Sequence, residues 1–202
     1  MLGSTQKPSV DARLLAIAGA HLRRFGRRRL TVVGVAEDAG MTHANVYRYF
    51  PSKSDLVDAV VAQWLKTLEV DLAAIADAPD PADDKLERLL LAVAHAHRDC
   101  LESDPNLFDA YAGAAQALRP VVRKHRARQR ALLERVLDEG VAADAFRPRD
   151  RERAAAFVID AVYRFINPVA VRADAEAPRD VLDTRLSVMI RVILRSLASG
   201  SV

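Results

Sequence analysis

The sequence predicts an all-α protein in which a small N-terminal three-helix unit is joined to a larger helical body. Half of its 202 residues are hydrophobic and only 5% are aromatic, a mixture that favours helix over strand. Apolar residues recur three and four positions apart along most of the chain, and no stretch alternates as a strand would. Glycines and prolines separate these stretches at intervals typical of helix ends.

Four helices are predicted in the first 76 residues. Residues 1–8 are polar and are predicted to form a loose arm. The first helix starts near Val10 and ends at Gly26, with an apolar face formed by Leu14, Leu15, Ala18, Leu22 and Phe25. Thr31, Thr42 and Ser52 are placed to cap the next three helices, because their side-chain oxygens can accept from backbone N–H groups of the first turn. The fourth helix is long and is predicted to reach Ala76.

The rest of the chain follows a break rich in proline and aspartate at residues 77–84. Four or five further helices are predicted, near residues 84–102, 105–118, 119–140, 150–167 and 179–198. Val35, Val46, Leu22, Phe25 and Phe50 are assigned to a small N-terminal core.

The charge is distributed unevenly. Residues 1–66 contain ten basic and five acidic groups, whereas the remaining residues carry about two more acidic than basic groups. A basic N-terminal segment indicates a polyanionic partner, although a solvated surface is an alternative. The cluster Arg27–Arg29 has the same two interpretations. The basic stretch 119–130 is interpreted as a solvated helix face, as a site for an acidic effector or as a second nucleic-acid surface.

Several protein classes are disfavoured. The single cysteine, Cys100, excludes an internal disulfide and a cysteine-rich zinc site. His95 and His97 would lie on different helix faces, so we expect no metal site. No run approaches the roughly 18 apolar residues of a membrane helix, and no charged-then-apolar leader opens the chain. Neither a phosphate-binding glycine loop nor a nucleophile motif occurs. We therefore expect a cytoplasmic, non-enzymatic protein without a cofactor.

The most informative segment is residues 30–56, which predicts two short helices joined at Gly40. The small residues Ala36 and Ala39 lie where the helices must approach closely, as in a helix-turn-helix. The second helix of such a pair can enter a DNA major groove about 12 Å wide. The helix starts around it offer N–H groups to phosphates. Lys53 occupies a first helical turn, where the helix dipole disfavours a cation, and a nearby phosphate would explain it.

This segment resembles the N-terminal signature of the TetR (tetracycline-repressor) regulators. The shared pattern is Ala36-x-x-Ala39-Gly-Met-Thr42, followed by Tyr47-x-Tyr49-Phe-x-Ser-Lys53-x-x-Leu56. The resemblance covers about residues 10–62. It implies a helix-turn-helix DNA-binding domain over residues 9–55 and a ligand-binding and dimerisation domain over residues 56–200. It also implies a dimeric repressor that binds a palindromic operator in double-stranded DNA and is released by a small-molecule effector.

The resemblance further implies roles for individual residues. Phosphate contacts are expected from Thr31, Thr42, Asn45, Tyr47, Tyr49 and Lys53, and base contacts from His43, Ala44 and Arg48. The alternatives are that Tyr47 and Tyr49 are packing aromatics and that His43 is an ordinary surface histidine. Gly34, Val33 and Ala44 depart from the common pattern, which affects operator preference more than DNA binding itself.

For the body, the resemblance implies an effector pocket and a dimer interface. Polar residues on apolar helix faces are the pocket candidates, namely His97, Cys100, Tyr111, His125, Tyr163 and Asn167, although each could be an ordinary core residue. Homodimerisation is expected through the last two helices. Their apolar stripes contain Ala155, Val158, Ile159, Val162 and Ile166, then Leu182, Leu186, Met189, Ile190, Ile193 and Leu197; the alternative is that these stripes pack within one subunit. A non-specific DNA-packaging protein and a small helical enzyme are the other function classes considered.

Overall fold

A computed structural model describes residues 9–202, so the predicted arm at residues 1–8 lies outside the described residues. Within this range the regular secondary structure is entirely helical, as predicted. The helices are α1 (Val10–Arg29), α2 (Val32–Asp38), α3 (His43–Tyr49), α4 (Lys53–Asp77), α5 (Ala82–Ser103), α6 (Pro105–Gln116), α7 (Pro120–Ala142), α8 (Arg151–Ala161), α9 (Tyr163–Ile166), α10 (Pro168–Ala173) and α11 (Arg179–Ser199).

A first core cluster joins α1, α2 and α3 to the N-terminal half of α4 and to α6. Leu22, Val35 and Val46 are fully buried in it, as the periodicity predicts, and Phe50 packs against it half-buried. The prediction for Phe25 is wrong, because its ring is 41% exposed. It lies on the surface, with the edge of His21 and the guanidinium of Arg24 against its ring.

The C-terminal end of α1 is broken at Gly26, which has a positive φ of 71°. Three arginines then complete one more turn, which closes where the Leu30 N–H donates to the Gly26 carbonyl at 3.1 Å. A side chain at position 26 would also meet the amide of Asn106, which lies 2.9 Å from an ideal Cβ. Glycine is therefore required there by conformation and by space.

Helix α4 belongs to both core clusters. Leu56, Val60 and Leu65 pack in the first cluster, and Leu68 and Leu72 pack in the second with α5, α7, α8 and α11. The predicted domain boundary at residue 55 falls within the first turn of this helix. A rigid element of 25 residues therefore runs continuously from the N-terminal unit into the body.

The prediction of a single helix over residues 150–167 is wrong. The chain leaves helical geometry at Val162 and again at Asn167, which has extended dihedral angles. Asn167 precedes Pro168, which disfavours the α conformation at the preceding residue. The Asn167 side chain instead caps the additional short helix α10 by accepting from Val169 N and Ala170 N.

Most of the two apolar stripes assigned to the dimer interface pack within the chain. The side chains that are at most 1% exposed are Ala155, Val158, Val162, Leu186, Ile190, Ile193 and Leu197. These residues fill the second core cluster, because α11 packs against α5 and α8, and α8 packs against α7. Their assignment to the interface is therefore wrong, and the alternative of packing within one subunit holds for them. The apolar side chains that α11 leaves exposed are Val181, Val188 and Val192.

Candidate nucleic-acid interface and effector cavity

Helices α2 and α3 form a tight pair with both starts capped. The Thr31 hydroxyl accepts from Gly34 N at 3.1 Å, and the Thr42 hydroxyl accepts from Asn45 N at 3.3 Å. Between the helices, Gly40 has a φ of 63°. The Met41 N–H closes the turn by donating to the Ala36 carbonyl at 2.9 Å. This is the helix-turn-helix geometry that the sequence predicts.

Helix α3 has one buried side chain, Val46, and six exposed ones. The exposed set is His43, Ala44, Asn45, Tyr47, Arg48 and Tyr49, which contains every α3 residue expected to contact DNA. The His43 ring lies edge-on to the Tyr47 ring, with centroids 6.5 Å apart. Because Tyr47 and Tyr49 are not core aromatics, both remain available to an external partner.

Gly34 occupies a crowded position. An ideal Cβ there would lie 3.1 Å from the Thr31 hydroxyl and 3.4 Å from the ring of His21. His21 is held in turn by Asp38, at 2.6 Å from the ring Nε2. The departure of Gly34 from the common pattern is therefore accompanied by close packing of His21 of α1 against α2 at this position. Val33 is exposed on the same helix.

Lys53 has a partner within the chain. Its ammonium donates to the carbonyl oxygen of Arg28 at 3.1 Å, at the end of α1. A phosphate is thus not needed to explain a cation in the first turn of α4, and the sequence argument for it is weakened. The Lys53 side chain lies beside the exposed cluster Arg27–Arg29, and both line a polar concavity that also includes Arg172 of α10.

Ion pairs join the N-terminal unit to the body. Arg119, which precedes α7, donates to Asp58 at 2.7 Å and to Asp55 at 3.1 Å, both in the first two turns of α4. The hydrogen bond with Asp58 raises the pKa of Arg119 further. On the other side, Arg23 of α1 donates to Asp104 at 2.8 Å, which caps α6. These contacts attach the N-terminal unit to the body at two places.

The body contains an apolar cavity of about 440 Å³. Its wall is formed by Leu72 of α4, by Leu89, Leu90 and Val93 of α5, by Leu132 and Leu133 of α7, and by Ile159, Val162 and Ile166 near the α8–α9 break. The polar members of the wall are Tyr111, Arg126, Gln129, Arg130, Asp160, Tyr163 and Asn167. Its volume and its mostly apolar lining are typical of small-molecule sites.

An aromatic cluster lies behind Tyr111. The Tyr111 ring contacts Trp64 of α4 and His97 of α5, with centroids 5.2 and 5.3 Å apart. It also lies edge-on to His125, whose Nδ1 is 2.9 Å from the Glu69 carboxylate of α4. Tyr111 thus connects the cavity wall to two residues of the long helix.

Two family models match most of the chain. Residues 14–60 match the bacterial regulatory proteins of the tetR family, and residues 82–184 match the tetracyclin repressor-like C-terminal domain. The chain belongs to the TetR family. As a TetR-family regulator it binds DNA, and its helix-turn-helix is α2–α3.

Relatives agree with this assignment. The HTH-type transcriptional repressor KstR2 of Mycobacterium tuberculosis is 28% identical over 157 residues, which cover 76% of this chain and 74% of that protein. A TetR/AcrR regulator from Thermobifida fusca superposes with a TM-score of 0.69 at 23% identity, covering 91% of this chain and 96% of its own. FadR from Bacillus subtilis, solved in complex with stearoyl-CoA, has a TM-score of 0.64 at 17% identity and coverages of 93% and 97%.

The six pocket candidates of this TetR-family chain divide into two groups. Tyr111, Tyr163 and Asn167 line the cavity, whereas His97, Cys100 and His125 do not. Cys100 is turned toward the first core cluster. Burial and the nearby Asp104 raise the pKa of its thiol to about 12, against the opposing influence of Arg23.

His97 and His125 are core histidines behind the cavity wall. Burial and, to a smaller extent, the nearby His125 lower the pKa of His97 to about 3, against the opposing influence of the Ile166 backbone. Within residues 9–202, neither ring nitrogen of His97 has a hydrogen-bond partner. Burial also lowers the pKa of His125, although its hydrogen bond with Glu69 opposes this.

Sequence analysis missed the cavity-facing stripe of α7. Arg126, Gln129, Arg130 and Leu133 follow the spacing i, i+3, i+4, i+7 and all line the cavity. That spacing was present within the basic stretch 119–130 and its continuation. The stretch 119–130 is therefore not only a solvated face. Part of it lines the cavity, and its first residue, Arg119, forms ion pairs with α4.

Among residues 9–202 no group of three or more metal-ligating side chains comes together. In the same part of the chain no helix is both long and apolar enough to cross a membrane.

Proposed function

We propose that this protein is a ligand-released transcriptional repressor that binds a palindromic operator as a homodimer. The observation that carries the proposal is the pairing of an outward-facing α3 with an apolar cavity, joined by one continuous helix. Lys53 and Leu72, at the two ends of this connection, are separated by 19 residues of α4, or about 28 Å of helix.

DNA reading is assigned to the exposed face of α3. Arg48 can donate two hydrogen bonds to the O6 and N7 atoms of a guanine, and Ala44 can contact a thymine methyl group. His43 is assigned to base contacts with them. Thr31, Thr42, Asn45, Tyr47, Tyr49 and Lys53 would hold the flanking phosphates, which fix orientation but carry little sequence information.

The dimer is proposed to use the outer face of α11 rather than its buried stripe. Val181, Val188 and Val192 lie at spacings of seven and four on that helix and are 46–47% exposed. A two-fold pairing of such faces would present two α3 helices to successive major grooves, about 34–36 Å apart.

The dimer is tested with the double variant Val188→Glu/Val192→Glu. Charges on this face are expected to convert the protein to a monomer in sedimentation velocity. Val70→Glu is the control, since Val70 is 60% exposed on α4, away from α11. If the double variant remains dimeric, the dimer interface does not use this face of α11.

Release by an effector requires that the ligand bind the two conformations of the dimer with different affinities. The route we propose runs from the cavity through Tyr111 and Trp64 to α4, and along α4 to Lys53. KstR2 is named a transcriptional repressor, and FadR holds stearoyl-CoA; both support a ligand-responsive repressor.

Base reading and phosphate binding are separated by two variants. Arg48→Ala should relax preference at one base position per half-site, whereas Lys53→Ala should weaken binding to all sequences. The loss of one phosphate contact per subunit should also make the negative slope of log K against log salt shallower by about 0.9 per contact.

The experiment begins with footprinting on the DNA upstream of the gene and its divergent neighbour. Arg149→Ala is the control for the Arg48 and Lys53 variants, since this exposed arginine lies in the loop between α7 and α8. Binding without a discrete footprint would favour a non-specific DNA-packaging protein and overturn the proposal.

A further inference from the structure

The cavity wall divides into an apolar majority and a small polar edge on α7. Leu72, Leu90, Val93 and Leu133 offer no hydrogen-bonding side chain, so the part of a ligand that fills this space must itself be apolar. A ligand with hydroxyl groups on every side would leave most of them unpaired in this space.

The polar edge consists mainly of hydrogen-bond donors. Arg126, Gln129 and Arg130 project from one face of α7. The Gln129 Nε2 atom is buried and has no hydrogen-bond partner in the part of the chain that the structure describes. Asn167 contributes donors as well, because its Oδ1 atom already accepts from Val169 N and Ala170 N at the start of α10, which leaves its amide N–H groups.

Arg126 differs from Arg128 and Arg130, the next two arginines of α7. Arg128 pairs with Glu69 at 2.8 Å and Arg130 pairs with Glu134 at 2.7 Å. No carboxylate among residues 9–202 lies within ion-pairing distance of Arg126. Its charge nevertheless reaches the inner wall, where it opposes the burial that raises the pKa of Tyr111.

One carboxylate, Asp160 of α8, also lines the cavity. A cationic ligand could pair with it, but such a ligand would face the guanidinium of Arg126 and the amide N–H groups of Gln129 and Asn167 in the same space. Arg130 adds no net charge to the cavity, because it already pairs with Glu134. An anionic ligand meets the Arg126 guanidinium and the two amide donors against a single carboxylate. The excess of donors therefore favours an anion.

We infer that the effector is an amphipathic acid, whose apolar body fills the cavity and whose carboxylate or phosphate is bound by Arg126 with Gln129 beside it. This inference rests on the proposed function, since it names the class of ligand that the regulator senses. It also gives the basic stretch 119–130 a role that sequence analysis left open.

Binding is tested with full-length protein and three probes that share one alkyl chain: dodecanoate, dodecyl phosphate and 1-dodecanol, each below its aggregation limit. The single tryptophan, Trp64, contacts Tyr111 of the cavity wall, so its fluorescence reports occupancy. We expect at least one of the two anions to bind at least tenfold more tightly than the alcohol, and comparison of the two identifies the preferred head group.

The variant Arg126→Gln should reduce the preference for the anion over the alcohol to less than threefold, because it weakens binding of the anion far more than binding of the alcohol. Arg123→Gln is the matched control, because Arg123 is exposed on α7 and does not line the cavity. Thermal unfolding of both variants confirms that they are folded. Equal affinity for anion and alcohol in the wild type, no binding of either anion, or an unaltered preference in Arg126→Gln would each overturn the inference.

A separate titration on operator DNA distinguishes this inference from the proposed function. If the favoured anion binds through Arg126 but leaves operator affinity unchanged, ligand release fails while the chemistry of the cavity stands. If 1-dodecanol releases the operator as effectively as either anion, ligand release stands and the inference fails.

Discussion

The buried, unpartnered ring of His97 makes the stability of this protein depend on pH. The side chain is 1% exposed and lies among Trp64, Phe108 and Tyr111. Its pKa is about 3 in the folded chain, against an ordinary value of 6.5. Between these two values the unfolded chain binds a proton at this position that the folded chain does not bind.

The sign and size of the effect follow from that difference. Because the folded pKa is depressed, the contribution of His97 is fully present above pH 6.5 and is lost progressively as the pH falls toward 3. Lowering the pH from 7.5 to 5.5 should cost about 1.4 kcal/mol of unfolding free energy through this residue alone. His125 acts in the same direction, because burial depresses its pKa too.

The assay is urea unfolding, followed by tryptophan fluorescence at pH 7.5, 6.5 and 5.5 and at one protein concentration. Comparison with His97→Phe and His97→Leu isolates the residue, because both keep an apolar side chain in the cluster and cannot be protonated. In each variant, the drop in unfolding free energy between pH 7.5 and 5.5 should be about 1.4 kcal/mol smaller than in the wild type, whatever the variant's stability at pH 7.5. His43→Gln, at an exposed position of α3, serves as the control. If both His97 variants lost stability between pH 7.5 and 5.5 as steeply as the wild type, the argument would be refuted.

Two further predictions concern packing and capping. Gly140→Ala should destabilise the protein by about 1–3 kcal/mol, because a Cβ there would overlap the ring of Phe146. Gly19→Ala in α1, where the nearest atoms are 3.8 Å from an ideal Cβ, should be neutral or stabilising in the same thermal unfolding assay. Equal effects of the two changes would contradict this account of Gly140. Thr42→Ala should cost about 1 kcal/mol by removing the cap of α3, and it should weaken operator binding. Thr67→Ala, at an exposed position of α4, should reduce neither quantity. Operator affinity unchanged in Thr42→Ala would show that the cap does not position α3.

The N-terminal unit could be predicted closely from sequence because its signals are local. Thr31, Thr42 and Ser52 each accept from the backbone N–H three residues later, which is the interaction that a capping residue is expected to make. The turn at Gly40 depends on a positive φ, which a glycine in the sequence indicates directly.

The body was predicted less completely because its features depend on tertiary contacts. A broad apolar stripe in the sequence does not indicate whether a neighbouring helix or a second subunit covers it. For Leu186 and Ile190 the covering elements are α5 and α8. Buried polar residues are similarly ambiguous. His97 and Tyr111 both lie on apolar faces, yet only Tyr111 reaches the cavity, since the arrangement of α5 and α6 decides which ring lies in front. Arg126 was missed because charge alone does not separate a cavity edge from a solvated surface.

The single anchoring side chain of α3 has a consequence for how such regulators diversify. Val46 alone is buried, so the other six positions can be exchanged without disturbing the interior. Paralogues built on this scaffold could acquire new target genes through a few surface substitutions while retaining their folding and their response to the same metabolite. Effector recognition and operator recognition can therefore evolve separately.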